Sequence, residues 1–198
     1  MKDQIMDAAL KEFGEKPYDQ ASVNQIIAIS QSSKGTFYHY FSSKEKLYLE
    51  LITYVLEEKK KFISRIAYNA KDLKSDNIFE LLKIQMKASI QFAVEYPLYS
   101  AFAIQVAYEN NQILKDKTST IISHGTQEFF KEIIIRNIEK GNIRRDIPID
   151  FTIAYFTFMI RQFNELLKDM ACEISKDNFD EIMKKLDLYI EVMKAGLQ

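Results

Sequence analysis

Ser32-Ser33-Lys34-Gly35-Thr36-Phe37-Tyr38-His39-Tyr40-Phe41-Ser42-Ser43-Lys44-Glu45 is the stretch on which the reading of this chain turns. It has the form of a very short helix, a turn and the start of a long helix. Ser32 or Ser33 can cap the short helix by accepting backbone N–H bonds. Ser42 and Glu45 have capping-box spacing, which predicts that the next helix opens there. Phe37 and Phe41 stand four apart on one face and belong in the core, and Tyr40 is either core beside them, the commoner fate, or a contact residue. Lys34, Thr36, Tyr38 and His39 point elsewhere, as polar groups on a rigid rod. Gly35 costs a helix about 1 kcal/mol relative to alanine. A glycine so placed marks a point where something must approach the backbone closely. A phosphate or base edge of duplex DNA is such a thing.

Upstream, Ile5, Met6, Ala9, Leu10 and Phe13 form a helical stripe over residues 2–15, which Gly14 and Pro17 are expected to stop. Ser22-Val23-Asn24-Gln25 is a second capping-box pattern, opening a helix that buries Val23, Ile26 and Ile27. Three short helices with a tight turn between the second and third make a helix-turn-helix head. Downstream, the pattern runs on through Leu47, Leu51, Tyr54, Val55, Glu58 and Phe62. That helix is too long for the head alone, so it is read as a strut into the remainder of the chain. Lys59, Lys60 and Lys61 on it either meet phosphates or, the commoner case, form a solvated face.

The remaining pattern predicts helices over about 77–95, from Pro97 to Tyr108, over about 117–140 with a stop at Gly141, over 150–170 and over about 176–196. Residues 70–76 and 109–116 read as polar breaks. The 150–170 segment is apolar on nearly every side, and such a helix must be covered all round. Together with the last helix it predicts a four-helix homodimer interface built from Phe156, Met159, Ile160, Phe163, Phe179, Ile182, Met183, Leu186 and Ile190.

Composition agrees with an all-α fold of about nine helices. Only 5 Gly and 3 Pro occur in 198 residues, which argues for long uninterrupted helices. The single cysteine, Cys172, cannot form an internal disulfide, so a reducing cytoplasm is expected. No signal peptide and no 18-residue apolar run is evident, so no membrane partner is expected. The formal charge is −1, and within residues 1–48 six lysines face six acids, so any DNA contact must come from local geometry. Enzyme chemistry lacks its parts: the two histidines lie apart, Cys172 has no histidine at a useful spacing, and no phosphate-binding glycine loop occurs. No catalytic residue, metal site or cofactor is expected.

The head resembles that of the TetR (tetracycline-repressor-like) family of bacterial transcriptional regulators. Ile5, Ala8-Ala9, Phe13, Ser22-Val23 and Ile26 carry the resemblance, and Lys34-Gly35-Thr36-Phe37-Tyr38-His39-Tyr40-Phe41 with Lys44 and Leu47 carry it most strongly. It covers about the first quarter of the chain. It implies a DNA-binding domain over 1–47 and a helical effector-binding and dimerisation domain over 48–198. It also implies a repressor that holds a palindromic double-stranded operator as a dimer and is released by a small-molecule effector. Carried over by position, Ser22, Tyr38, His39 and Lys44 meet phosphates, Lys34 and Gly35 face bases, Thr36 lies at the groove wall, and Ser33 shares that surface. The family usually has a glycine in the turn; Ser30-Gln31-Ser32 stands there instead, which either forces Gln31 into a left-handed conformation or reshapes the turn.

Effector-contact candidates are Phe92, Tyr96, Phe102, Gln105, Tyr108, His124, Phe129, Tyr155, Phe158, Arg161, Gln162 and Asn164, although for any single aromatic among them core packing is the commoner fate. Arg161, in the most apolar helix, is either half of a salt bridge with Glu165 or Asp169, an edge residue, or an anchor for a polar effector. The aromatic and methionine content suits a hydrophobic, lipid- or drug-like compound. The competing reading is a small-molecule sensor or protein-binding module whose head no longer reads DNA, and it draws on the neutral head and the unusual turn.

Overall fold

A computed structural model describes residues 1–69, 77–123, 126–169 and 174–197, with the side chains at 67–69, 123, 126–130, 132, 160, 161, 164 and 167–169 left out of the description. The described residues hold ten α-helices: α1 Lys2–Glu15, α2 Val23–Ile29, α3 Lys34–Tyr40, α4 Lys44–Asn69, α5 Ile78–Glu95, α6 Pro97–Ala107, α7 Gln112–Ser123, α8 Thr126–Glu139, α9 Ile149–Asp169 and α10 Phe179–Leu197. Within the expected 117–140 helix the described residues form α7 up to Ser123 and α8 from Thr126, with residues 124–125 outside the description, and α7 starts earlier, within the supposed polar break. No helix among the described residues is long and apolar enough to cross a membrane.

The chain folds into two compact units, residues 1–59 with 96–124 and residues 60–95 with 125–198, so α4 contributes to both. In the first unit, Ile5, Ala9, Phe13, Ile26, Phe37, Phe41, Leu47 and Leu51 are fully buried. Each large apolar side chain in that set contributes about 1.5–3 kcal/mol by leaving water. The helix-turn-helix head is not a separate packing unit ending at residue 47. Phe102 of α6 and Leu114 of α7 complete its core, and Phe102 sits 5.5 Å from the Tyr48 ring and 6.3 Å from Phe13. Gly14 does not stop α1. It stays helical and faces α6, where an added Cβ would lie 3.4 Å from the Phe102 backbone nitrogen. Lys16, in extended conformation ahead of Pro17, ends the helix instead.

The second unit buries Ile78, Phe79, Leu82, Met86 and Ile90 of α5 against Ile134, Phe156 and Phe163 and against Ile182, Leu186, Ile190, Met193 and Leu197 of α10. Asn137, near the end of α8, is its polar hinge. Its Oδ1 accepts from the Ile78 amide and from Asn142 Nδ2, both at 2.9 Å, and so caps the start of α5. Gly141, with φ 76°, follows α8 as expected; its amide donates to Ile138 O and the Asn142 amide to Asn137 O. Those two bonds are the Schellman ending, which satisfies carbonyls that the helix itself leaves unpaired.

Candidate nucleic-acid interface

The surface that could meet DNA is built on α3. Ser33, not Ser32, caps it: Ser33 Oγ accepts the Thr36 amide at 3.0 Å and lies 2.8 Å from the Thr36 hydroxyl. Phe37 and Phe41 are both fully buried, with ring centroids 6.0 Å apart, and they anchor the rod from beneath. A seven-residue helix is about 10 Å long, a length that a B-DNA major groove about 12 Å wide can hold. Lys34, Gly35, Tyr38 and His39 are exposed, and Thr36 is half-buried. At Gly35 an added Cβ would meet only Ser33 Oγ, at 3.7 Å. Nothing inside the chain therefore requires glycine there.

Tyr40 departs from expectation: it is 41% exposed, with its ring edge-on to His39 at 5.1 Å. Phe37 and Phe41 claim the inward face, and Tyr40, about 100° round the helix from Phe41, is left at the rim. Tyr38, His39 and Tyr40 are all exposed, fanned round the C-terminal half of α3.

The turn before α3 takes the left-handed form. Gln31 has φ 53°, its amide donates to Ala28 O at 3.2 Å, and the Ser32 amide donates to Ile27 O at 3.2 Å. This is again a Schellman ending, here with glutamine at the position glycine usually fills. Ser30 Oγ donates to Ile27 O and stands 2.9 Å from Ser32 Oγ, which braces the strained residue on both sides.

Two capping expectations are corrected. Ser22 is the N-cap of α2, but its side chain makes no cap bond; instead its amide donates to Glu12 Oε1 at 2.9 Å. Glu12 is 1% exposed and also takes Lys16 Nζ at 2.9 Å. Desolvation raises its carboxyl pKa, but the Lys16 and Ser22 hydrogen bonds and the charges of Lys16 and Lys44 outweigh that and hold it below the ordinary value. Glu12 thereby fixes α2 onto α1, a link across ten residues that no local pattern signals. At α4, Ser43 rather than Ser42 is the cap, accepting the Lys46 amide at 3.0 Å. Lys44 is half-buried, its ammonium 4.3 Å over the Tyr18 ring; desolvation pulls its pKa down, against the pull of Asp19, Glu12 and Glu109.

The effector candidates do not gather in one unit. Tyr96, Phe102, Gln105 and Tyr108 belong to the first, and Phe92, Tyr155, Phe158 and Gln162 to the second. Phe102 is core of the head, and Phe92 is buried with its ring 5.4 Å from Phe62. Tyr108 and Phe158 are exposed, and Tyr96 stands at the edge of exposure. His124 lies outside the described residues, as do the side chains of Phe129, Ile160, Arg161 and Asn164. Of the interface candidates, Phe156, Phe163, Ile182, Leu186 and Ile190 are buried within the second unit's own core, with Met159, Phe179 and Met183 packed partly against it. A side chain already covered needs no second copy to cover it. The outward apolar residues are instead Phe151, Phe158 and Leu166 on α9 and Leu188 and Val192 on α10. In a sequence apolar on most sides, nothing marks which face turns in.

Residues 5–51 match the family model described as bacterial regulatory proteins, tetR family. The transcriptional repressor AcnR of Corynebacterium glutamicum is 20% identical over 185 residues, 92% of this chain and 88% of that protein. The fatty acid metabolism regulator protein of Bacillus subtilis is 26% identical over 146 residues, 74% of this chain and 72% of that protein. The crystal structure of the Bacillus subtilis transcriptional regulator FadR in complex with stearoyl-CoA superposes with a TM-score of 0.77 at 18% identity, over 100% of both chains. These relatives are regulators of transcription, not enzymes. The head with this capped and exposed α3 thus matches the tetR family of bacterial regulatory proteins, and along most of its length the chain is similar to regulators of transcription that share its all-helical fold.

Proposed function

We propose that this protein is a ligand-responsive repressor that binds a palindromic operator as a homodimer and is released by a small hydrophobic effector. One observation carries the reading: α3 presents Lys34, Gly35, Tyr38 and His39 outward while Phe37 and Phe41 lock it from below. Lys34 and the bare backbone at Gly35 face base edges; Thr36 stands at the groove wall beside Ser33; Tyr38, His39, Lys44 and the Ser22 hydroxyl hold phosphates. Hydroxyls and a few lysines position the backbone, and few side chains read sequence. Because charge in residues 1–48 is balanced, the salt dependence of binding is shallow.

DNA contacts come from residues 1–47, and the effector and the second copy belong to the rest. Phe151, Phe158, Leu166, Leu188 and Val192 support the homodimer, since large apolar groups left facing water mark an association surface. A lipid-like effector is supported by the stearoyl-CoA held by the similar FadR structure and by the match to a fatty acid metabolism regulator. Its binding shifts α4, which runs from residue 44 to 69 and contributes to both units.

The test is selection of bound duplexes from a random pool, followed by footprinting. A protected palindrome is expected. Tyr38→Phe weakens binding to every sequence, and Lys34→Ala changes preference at particular bases at about 1–3 kcal/mol. A head that no longer reads DNA enriches nothing from the pool.

A further inference from the structure

Lys117 of α7 lies outside residues 5–51, which match the family model, and outside residues 1–47, to which DNA contacts are assigned. It reaches the head all the same. Leu114, a turn earlier, is buried in the core that holds Phe13, Phe37 and Leu47, and Ile121, a turn later, packs partly against that core. Lys117 stands between them along the helix, and its ammonium forms an ion pair with Glu45 in the first turn of α4. The partners are 72 residues apart in sequence, and both side chains are less than half exposed.

Glu45 follows Lys44, the residue proposed to hold a phosphate. The Lys44 ammonium lies 4.3 Å over the Tyr18 ring, and the charges of Asp19, Glu12 and Glu109 reach it there. The charges of Glu45, Asp19 and Glu109 reach Tyr18 too. Lys44 thus offers its charge to a phosphate from among carboxylates, of which Lys16 answers Glu12. Each acid left without a nearby cation repels an anion that approaches Lys44. A pair this exposed adds little to the stability of the fold. Its charge matters more to a polyanion arriving from outside.

We infer that Lys117 is a positioning residue of the DNA interface, which neutralises Glu45 and so lets a backbone phosphate settle on Lys44. Its role rests on the DNA-binding reading proposed above and extends that interface to α7.

Phosphate contacts do not depend on sequence, so a duplex of about 40 base pairs and arbitrary sequence, in low salt, serves as the probe for the full chain. Lys117→Gln is expected to weaken binding about fivefold, and Lys117→Arg to keep it. Glu45→Gln binds at least as tightly as the wild type, and adding Lys117→Gln to it costs nothing further, because the acid to be cancelled is gone. Lys115→Gln removes an equal charge from an exposed site on the same helix and changes binding by less than about twofold. The assignment is overturned if Lys117→Gln binds like the wild type, or if Lys115→Gln loses as much, since net charge then explains the effect. A loss that persists beside Glu45→Gln overturns it by making Lys117 a direct contact. If the pair served only to fasten α7, Glu45→Gln alone would weaken binding as Lys117→Gln does, and that result also overturns it. Lys44→Gln separates the two readings. When it weakens binding and Lys117→Gln does not, the phosphate role of Lys44 stands and that of Lys117 falls. When neither weakens binding, the DNA reading of this surface falls with it.

Discussion

The α3 surface of the first unit and the α9–α10 surface of the second are both left open to solvent, and they differ in kind. On α3 the exposed groups are a lysine, a glycine, a histidine and tyrosines, over two buried phenylalanines. On α9 and α10 the exposed large apolar groups are Phe151, Phe158, Leu166, Leu188 and Val192, beside exposed charges such as Lys184 and Glu191 and over an apolar core. A polar face held rigid by its own core is suited to a polar partner whose contacts are directional. An apolar face is suited to a partner that also gains by leaving water, and a second copy of the same face is one such partner.

Phe37→Ala should break the first side of this comparison most severely. It empties the space beneath α3, destabilises the fold by about 3–5 kcal/mol in urea titration and abolishes operator binding. Phe158→Glu combined with Leu188→Glu tests the second side. Sedimentation velocity should show the mass falling from dimer to monomer, while Tyr38→Glu leaves it unchanged; a double variant that stays dimeric would remove the proposed interface.

Glu12→Gln probes how the DNA surface is held rather than what it presents. At neutral pH it should cost about 1–3 kcal/mol, because Lys16 and the Ser22 amide lose their carboxylate. Because the folded-state pKa of Glu12 is depressed, its contribution is complete above the unfolded value of about 4.3 and disappears as pH falls through the folded value. Wild type and variant should therefore converge in acid. The smallest effects come from the two matching turns, one in each unit. Gly141→Ala forces a Cβ into φ 76° and should cost about 1–2 kcal/mol. Gln31→Gly relieves the same conformation at φ 53° and should raise stability by about 0.5 kcal/mol or leave it level, since the unfolded chain gains freedom. Equal losses at both positions would mean that Ser30 and Ser32 have made Gln31 the better residue for that turn.

The head was legible because its signals are local. A serine at the N-cap, phenylalanines four apart and an otherwise unfavourable glycine all act within one or two helical turns, whereas the glycine-free turn left two conformations open, of which the structure takes the left-handed Gln31. Even there, the nearer of two serines had to be chosen by geometry, as at Ser33 over Ser32 and Ser43 over Ser42.

What the amino-acid order determined alone was an all-helical chain with a helix-turn-helix head and a polar, glycine-bearing rod set on two phenylalanines. Only the tertiary structure decided that Phe102 completes the head's core, that Glu12 reaches Ser22 and that Tyr40 lies outside. It also decided which faces of α9 and α10 are already covered. The physical reason is that apolar burial has no direction of its own. A hydrophobic residue requires cover, and which distant part of the chain supplies that cover is settled by packing.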